Sequence, residues 1–165
     1  PVGEKLRAIL LQSGEDTPIG PRCESLIFMA SRAQLVAEVI RPALAAGKIV
    51  VSDRFLLATV VYQGYGLTLE PEDLWKVGEF ATDGTLPDRT IVLDLDVSQA
   101  AARREGAADR MESRDQAYFQ KPRKGFLAEA KLHPDRVSVV DASQPIEQIH
   151  ADVRACIERL LGGRN

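Results

Sequence analysis

The segment Lys48-Ile-Val-Val-Ser-Asp-Arg-Phe55 decides the fold class of this chain. Its apolar run, residues 49–51, is too continuous for a half-solvated strand and too short for a helix, so it predicts a strand buried on both faces of a parallel sheet. Asp53 and Arg54 then lie at the carboxyl end of that strand, where open α/β sheets bind ligands. A guanidinium beside a carboxylate suits phosphate oxygens, with the acid orienting them or holding a metal through water. A helix cap beside a solvated arginine explains the pair equally well.

Two further apolar segments, Thr90–Asp96 and Arg136–Asp141, predict two more strands, and the residues between the three segments have helical spacing. Strands that alternate with helices indicate parallel βαβ units with right-handed crossovers, and therefore an α/β fold. A long helical pattern from Cys23 to Ala46 precedes the first strand, and Pro42 is expected to kink or split it. A last helix is expected to begin at Ser143 as its N-cap.

Composition limits the class of protein. The chain has 165 residues, 45% of them apolar and 27% charged, which is typical of one globular domain. A net charge of -3 argues against a general nucleic-acid or membrane-surface binder, and no apolar run is long enough to span a membrane. Cys23 and Cys156 lack metal-ligand spacing, so we expect reduced thiols in a cytoplasmic protein.

Phe28 and Arg32 are four positions apart in the long helical pattern and therefore share one face of the helix. On that face a ring can stack on a flat ligand while a guanidinium donates to an acceptor at the edge of the ligand. The alternative is a core phenylalanine beside a surface arginine, and the spacing alone does not decide between the two.

The segment 103–115 is the most charged part of the chain, with four arginines within twelve residues. It is either an exposed, solvated connection or a lid whose guanidinium groups close over phosphates and stabilise the charge of a phosphoryl-transfer transition state. The use of arginine instead of lysine favours the lid.

Taken together and in order, these motifs resemble the thymidylate kinases of the nucleoside monophosphate kinase group. The resemblance covers essentially the whole chain, and its matching segments are Pro1–Arg7, Leu26–Gln34, Ile40–Lys48, Ser52–Phe55, Val61–Gly64, Asp109–Glu112 and Val140–Ser143. It implies a three-layer P-loop kinase fold with a parallel sheet of five strands, three of them in this chain, flanked by helices and completed by a lid at residues 103–115.

The family resemblance implies ATP-dependent phosphorylation of dTMP to dTDP by in-line transfer of the γ-phosphoryl group, with Mg²⁺, in the synthesis of dTTP. It assigns Phe28 to stacking on the thymine and Arg32 to hydrogen bonding at its edge. Arg54 would hold the monophosphate, and Asp53 would support the phosphate and magnesium region.

The remaining implied roles also come from the resemblance. Thr59 and Tyr62 would face the base and sugar, with Tyr62 crowding a ribose 2′-hydroxyl, and Gln63 would lie nearby. The lid residues that would close over the phosphates are Arg104, Asp109, Arg110 and Glu112, and the residues that would border the adenine of ATP are Asp141, Ala142 and Ser143. A homodimer is implied, through the helix of Trp75 and the helix of Phe28.

The chain departs from the family pattern in two places. The N-terminal strand, the glycine-rich phosphate loop and the second strand do not precede Pro1, so residues 1–165 are expected to form a single kinase domain that lacks them. Without the family's central strand, residues 49–51 would be separated from 91–95 by a gap with unpaired backbone groups, which indicates an incomplete copy. The second departure is Pro122, inside a helix at residues 116–132 that the family keeps uninterrupted.

Two alternatives to a thymidylate kinase follow from these departures and from the site residues. One is a kinase of the same scaffold that acts on another nucleotide or nucleoside. The other is a non-catalytic nucleotide-binding or scaffolding protein, which would be expected if the native gene has no phosphate loop.

Overall fold

The structure is a computed structural model that describes residues 2–12, 18–103 and 116–163. It divides into two compact units, Pro1–Leu86 and Pro87–Asn165, which are described separately below. The expectation of a single kinase domain stays a prediction. No helix within the described ranges is long and apolar enough to cross a membrane.

The first unit is helical. Its helices are α1 Val2–Gln12, α2 Pro21–Leu35, α3 Arg41–Ala45, α4 Leu56–Thr59 and α5 Pro71–Thr82, with π-helical segments at Val36–Ile40 and Val60–Tyr65. Proline stands at the first helical position of both α2 and α5, where its missing N–H costs nothing and its fixed φ favours the helix.

Pro42 is accommodated by the π-helical segment that joins α2 to α3. The N–H of Arg41 reaches back five residues to the carbonyl of Val36, which is the wide turn of a π-helix. Because proline has no N–H to donate and its ring crowds the preceding turn, a widened turn just before it keeps the chain helical. The sequence predicted a kink or a split at Pro42, and the structure has a wide π-helical turn there without a break in the helix.

The core of the first unit is a cluster of Met29, Leu56, Val60 and Leu74, each at most 5% exposed. Burying one such side chain stabilises the fold by roughly 1.5–3 kcal/mol. Trp75 packs against this cluster. Phe80, on the same helix, is 87% exposed in the isolated chain.

Gly78 lies where α5 crosses Leu56, and we expect Gly78→Ala to destabilise the fold. An added Cβ would lie 2.1 Å from Cδ1 of Leu56, whose side chain is 1% exposed and cannot move into solvent. Overpacking costs about 1–3 kcal/mol, which exceeds the roughly 1 kcal/mol that alanine gains over glycine in a helix. Thermal unfolding measures the difference.

Gly162→Ala is the matched control for Gly78→Ala, because no atom lies within 4 Å of a Cβ added at that helical glycine. We expect it to leave the melting temperature unchanged or slightly raised. A Gly78→Ala variant that melts with the control, or above it, would contradict the packing argument.

The strand predicted at residues 49–51 is absent, and this part of the sequence-based prediction is wrong. The segment carries no strand pairing in the described part of the chain, and Ile49 and Val51 are 77% and 91% exposed. A strand needs a neighbour to bond its backbone and cover its side chains, and the residues that the structure describes in this unit supply neither.

The second unit contains the elements β1 Thr90–Asp94, α6 Val97–Ala102, α7 Gln116–Leu132, β2 Val137–Asp141 and α8 Ile146–Gly162. The two strands pair in parallel, in a register that runs from Thr90 opposite Val137 to Asp94 opposite Asp141. Their carboxyl ends therefore lie at one edge, as the βαβ pattern predicts. The α/β fold class is confirmed, and the part of the chain that the structure describes has two parallel strands where three were predicted.

Asp96 caps α6, accepting a bond of 2.9 Å from the N–H of Ser98. Two local expectations for the second unit can be compared with the structure. Pro122 lies inside α7, which continues through it. The last helix begins at Ile146 after Pro145, so the prediction of Ser143 as its N-cap is wrong: the Ser143 hydroxyl bonds to Asp141 instead.

Candidate functional site

Arg32 is the centre of the candidate site in the first unit. Its Nη2 donates to the carbonyl oxygen of Phe55 at 3.0 Å and to Oγ1 of Thr59 at 2.8 Å. Its Nη1 donates to Sδ of Met29 at 3.2 Å, and the guanidinium lies 5.3 Å from the centre of the Phe55 ring. These contacts fix the guanidinium of α2 against the start of α4, so its orientation is set before a ligand arrives.

Burial lowers the pKa of Arg32 to about 10, so the group is still a cation at neutral pH. The partners that accept its hydrogen bonds are a carbonyl, a hydroxyl and a thioether, and none of these carries a charge. A half-buried cation that is hydrogen bonded but not neutralised attracts an electron-rich acceptor. The site is therefore suited to the polar edge of a ligand.

Arg54 has a left-handed backbone, with φ of 65°. This conformation is uncommon for residues other than glycine, and the hydroxyl of Ser52 stabilises it by donating to the Arg54 carbonyl oxygen at 2.7 Å. The guanidinium lies 5.4 Å from the centre of the Tyr62 ring, within range of a cation–π contact. Backbone and side chain of Arg54 are thus both held in place, while the residue itself stays exposed.

A cleft of about 120 Å³ joins these side chains. It is lined by Phe28, Ser31, Arg32, Leu35, Arg54 and Phe55. The structure therefore brings together Phe28, Arg32 and Arg54, which the sequence suggested as parts of one site. Because the cleft is smaller than the roughly 300 Å³ of a pocket that encloses a whole ligand, we expect it to hold only part of one.

The other predicted residues of this unit lie around the cleft without lining it. Thr59 is 4% exposed and reaches the cleft only through Arg32. Tyr62 contacts Arg54. Gln63 is 2% exposed and its amide bonds to Glu24, away from the cleft. Asp53 is exposed to solvent.

The second unit contains the predicted adenine segment. Oδ1 of Asp141 accepts from the N–H of Ser143 at 2.8 Å and from its hydroxyl at 2.6 Å, and these bonds lower the pKa of the Asp141 carboxyl. Arg103 donates from Nη1 to the carbonyl oxygen of Ala142 at 3.0 Å. The segment is therefore an ordered turn directly after β2. The predicted lid residues Arg104, Asp109, Arg110 and Glu112 lie outside the described residues.

Sequence reasoning did not identify Arg123, which binds both acids at the end of β1. Its Nε and Nη2 donate to the two carboxylate oxygens of Asp94 at 2.8 and 3.1 Å, and its Nη1 donates to Asp96 at 2.9 Å. The bonds to Asp94, opposed in part by burial, raise the pKa of Arg123. This paired, bidentate arrangement attaches α7 to β1. Neither a motif nor a residue spacing predicts this pairing of Arg123 with the two acids, because the partners are far apart in sequence.

The described residues supply few candidate magnesium ligands. In ranges 2–12, 18–103 and 116–163, no group of three or more His, Cys, Asp or Glu side chains could hold a metal ion. Asp53 offers one exposed carboxylate beside Arg54. Magnesium in phosphate-transfer sites keeps several waters and uses one or two carboxylates with the substrate phosphates, so a single acid fits that chemistry.

The fold and the cleft define an α/β protein in which two guanidinium groups and the ring of Phe28 line one small cleft. Comparison with known proteins identifies the family. The sequence profile described as "Thymidylate kinase" matches residues 1–153, so the chain belongs to the thymidylate kinase family.

Relatives in sequence and structure agree with this assignment. The chain is 43% identical over 162 residues to the thymidylate kinase of Bifidobacterium longum subsp. infantis, covering 97% of this chain and 70% of the relative. It is 44% identical over 165 residues to that of an Exiguobacterium species, covering 98% and 77%. The crystal structure of thymidylate kinase from Ehrlichia chaffeensis superposes with a TM-score of 0.71 at 25% identity, covering 93% of this chain and 72% of that one.

Proposed function

We propose that this protein transfers the γ-phosphoryl group of ATP to dTMP and forms dTDP and ADP. Membership of the thymidylate kinase family supports the reaction. The observation that carries the proposal is the cleft in which Arg32, a half-buried cation with neutral partners, faces the same space as Phe28 and Arg54. A ring, an edge donor and an exposed guanidinium are what a pyrimidine monophosphate requires.

Phe28 and Arg32 select the base. Phe28 stacks on the thymine ring, and Arg32 donates to an acceptor on its edge. Arg32 can do so without moving, since Phe55 and Thr59 already hold its guanidinium. Thymine presents O4 as an acceptor where cytosine presents an amino donor, so an arginine at this edge favours thymine.

Arg54 holds the monophosphate that accepts the phosphoryl group. Its guanidinium matches two phosphate oxygens, and the Tyr62 ring supports it from one side. Tyr62 also limits the space for a ribose 2′-hydroxyl, which favours the deoxynucleotide. Thr59 and Gln63 also shape this region, because their buried side chains bond to Arg32 and Glu24 of α2.

The reaction is an in-line displacement without a covalent enzyme intermediate. An oxygen of the dTMP phosphate forms a bond to the γ-phosphorus while the bond from that phosphorus to the β,γ-bridging oxygen breaks, and ADP leaves. Catalysis comes from positioning and from cations that match the charge of the transition state. When bound, Mg²⁺ neutralises charge on the donor phosphates, and Asp53 would hold it through water.

The remaining roles rest on the resemblance to the family. We assign the lid arginines Arg104 and Arg110, with Asp109 and Glu112, to the phosphates, and the turn Asp141–Ser143 to the adenine of ATP. The hydrogen bonds from Ser143 to Asp141 and from Arg103 to Ala142 support an ordered turn for that purpose.

We also propose a homodimer that acts in the cytoplasm. Exposed apolar side chains on α2 and α5 support a dimer through these helices, with Leu26 56% and Phe80 87% exposed. A reaction that consumes ATP and makes a precursor of dTTP belongs in the cytoplasm, and the cysteines Cys23 and Cys156 are free thiols.

A nucleotide panel tests the proposed function. The protein, expressed from its complete coding sequence, is assayed for ADP release with ATP and each of dTMP, dUMP, dCMP and dGMP. We expect dTMP to give the highest kcat/KM. A higher value for another nucleotide would assign a related kinase, and binding of dTMP without ADP release would assign a non-catalytic nucleotide binder.

A further inference from the structure

We propose that Arg123 is a positioning residue for the binding of ATP. It holds Asp94 and Asp96 together and thereby fixes the turn Asp141–Ser143, to which we assigned the adenine. The inference rests on the proposed function and deepens it. The contacts that carry it join β1, α6, α7 and β2, all within the second unit.

Arg123 binds its two acids in a defined geometry. Its Nε and Nη2 face the two carboxylate oxygens of Asp94 as a bidentate pair, and its Nη1 donates to Oδ2 of Asp96 at 2.9 Å. Two carboxylates that share one guanidinium would repel each other without it, and the planar fork also fixes the direction and distance of each bond. Both carboxylates therefore depend on Arg123 for their position.

Asp94 transmits this constraint to the turn through its backbone. It is the last residue of β1 and lies opposite Asp141, the last residue of β2, in the parallel register. Its carbonyl oxygen accepts a bond of 2.8 Å from the N–H of Ala142, the first residue beyond β2. The side chain of Asp94 is bound to α7 while its carbonyl is bound to the turn, so α7 fixes the point at which the turn leaves the sheet.

Asp96 transmits the same constraint through α6. One of its carboxylate oxygens accepts from the N–H of Ser98 and caps α6, and the other accepts from Arg123. Arg103, the residue directly after α6, donates from Nη1 to the carbonyl oxygen of Ala142 at 3.0 Å. Both backbone groups of Ala142 are therefore held by segments that Arg123 anchors, one through β1 and one through α6.

A turn that binds a base needs such support. Hydrogen bonds to the edge of a base form over a narrow range of distance and angle, so a site must hold its groups within about 0.5 Å of the productive position. Among the described residues, Arg123 bonds to the two acids and not to the turn, so its removal changes only how firmly the turn is held. The residues proposed for dTMP lie in the first unit. We therefore expect the loss to fall on ATP.

The test replaces Arg123 by methionine, which keeps an unbranched apolar stem and removes the donors, in the protein expressed from its complete coding sequence. We expect KM for ATP to rise about 10-fold, and Kd for ADP in titration calorimetry to rise by a similar factor, as the loss of one hydrogen bond to the base does. KM for dTMP, and kcat at saturating substrates, should stay within about 3-fold, because the turn does not touch the reacting atoms. A general loss of structure would instead change both KM values together.

Asp94→Asn tests whether Arg123 acts through Asp94. Asparagine keeps one acceptor oxygen but cannot accept from both nitrogens of the fork, so we expect KM for ATP to rise about 5-fold. In the double variant Asp94→Asn/Arg123→Met the two effects should not multiply, since both substitutions disrupt one network. Arg123→Lys keeps the charge without the fork and should fall between the wild type and Arg123→Met.

Arg154→Met is the matched control. It makes the same change to an exposed arginine of the same unit, whose bond of 2.7 Å to Glu158 lies within α8. It should change neither KM for ATP nor Kd for ADP.

Unchanged KM for ATP and Kd for ADP in Arg123→Met would overturn the inference. So would equal losses for ATP and dTMP, or effects that multiply in the double variant. If Arg123→Met does not fold, Asp94→Asn and Arg123→Lys are judged by the same readouts. A wild type that binds ADP without phosphorylating dTMP contradicts the proposed function alone, and calorimetry on the variants then tests Arg123. A wild type that binds no ADP contradicts both.

Discussion

Replacing Arg54 by alanine is expected to lower turnover with dTMP and ATP by at least about 10³-fold, the scale on which arginines act in phosphoryl transfer. Arg54 is exposed at the mouth of the cleft, where its guanidinium can fork onto the phosphate of dTMP. Without this group the acceptor phosphate loses both its position and the neutralisation of its charge.

The fold should survive this change. The contact with Tyr62, at 5.4 Å, is an exposed cation–π interaction that contributes about 0.5–1 kcal/mol. Coupled ADP-release kinetics measure turnover, and thermal unfolding measures stability. Arg54→Lys should recover only part of the activity, since an ammonium group keeps the charge but not the planar fork.

Arg154→Ala is the control for Arg54→Ala, because it also removes an exposed arginine, one that pairs with Glu158 at 2.7 Å on α8. It should leave kcat and KM unchanged. Turnover of Arg54→Ala at the level of this control would remove Arg54 from the mechanism and, with it, the central part of the proposed site.

The second large effect is expected for Arg32→Met, which keeps an unbranched apolar stem in place of the arginine and removes its donors. We expect affinity for dTMP to fall about 100-fold, or roughly 2.7 kcal/mol, as the loss of a hydrogen bond from a charged donor predicts. Affinity for dCMP should change far less, because cytosine offers an amino group where thymine offers O4. The preference for dTMP over dCMP should therefore shrink.

Stability should change less than affinity in Arg32→Met. The substitution removes the bonds to Phe55 and Thr59, but it also removes the desolvation of a half-buried cation that lowers the pKa of Arg32 to about 10. Isothermal titration calorimetry with each nucleotide measures the binding, and thermal unfolding gives the stability.

Arg22→Met is the matched control for Arg32→Met, since it makes the same change in the first turn of the same helix, where the side chain is exposed. It should leave both affinities unchanged. If Arg32→Met keeps the wild-type ratio of dTMP to dCMP affinity, Arg32 does not read the edge of the base.

Local sequence spacing predicted the parts of the site that lie on one element. The interval between Phe28 and Arg32 places both on one face of α2, and the structure puts both on the wall of one cleft. The pattern of β1, α6 and β2 predicted a parallel pair of strands, which the register confirms. These predictions succeed because the periodicity of a helix or strand is a local property of the backbone.

Partners that lie far apart in the chain were not predictable in this way. The bond between Glu24 and Gln63, and the bonds from Arg123 to Asp94 and Asp96, join side chains on different elements. No motif marks them, since the pairing depends on how helices pack and not on spacing. The prediction of a strand at residues 49–51 failed for a related reason: its apolar pattern is correct, but a strand also needs a neighbour to pair with.

The sequence by itself determined the α/β class, the face of α2 that carries Phe28 and Arg32, and the motifs that resemble the thymidylate kinases. Only the tertiary structure decided that Arg32 is held by Phe55 and Thr59, and that Arg54 adopts a left-handed backbone. It also decided that residues 49–51 form no strand with any part of the chain that the structure describes. The physical reason is the range of the interactions. Side-chain periodicity is a local property of the sequence, whereas burial, hydrogen-bond partners and backbone strain depend on contacts between segments that are distant in sequence.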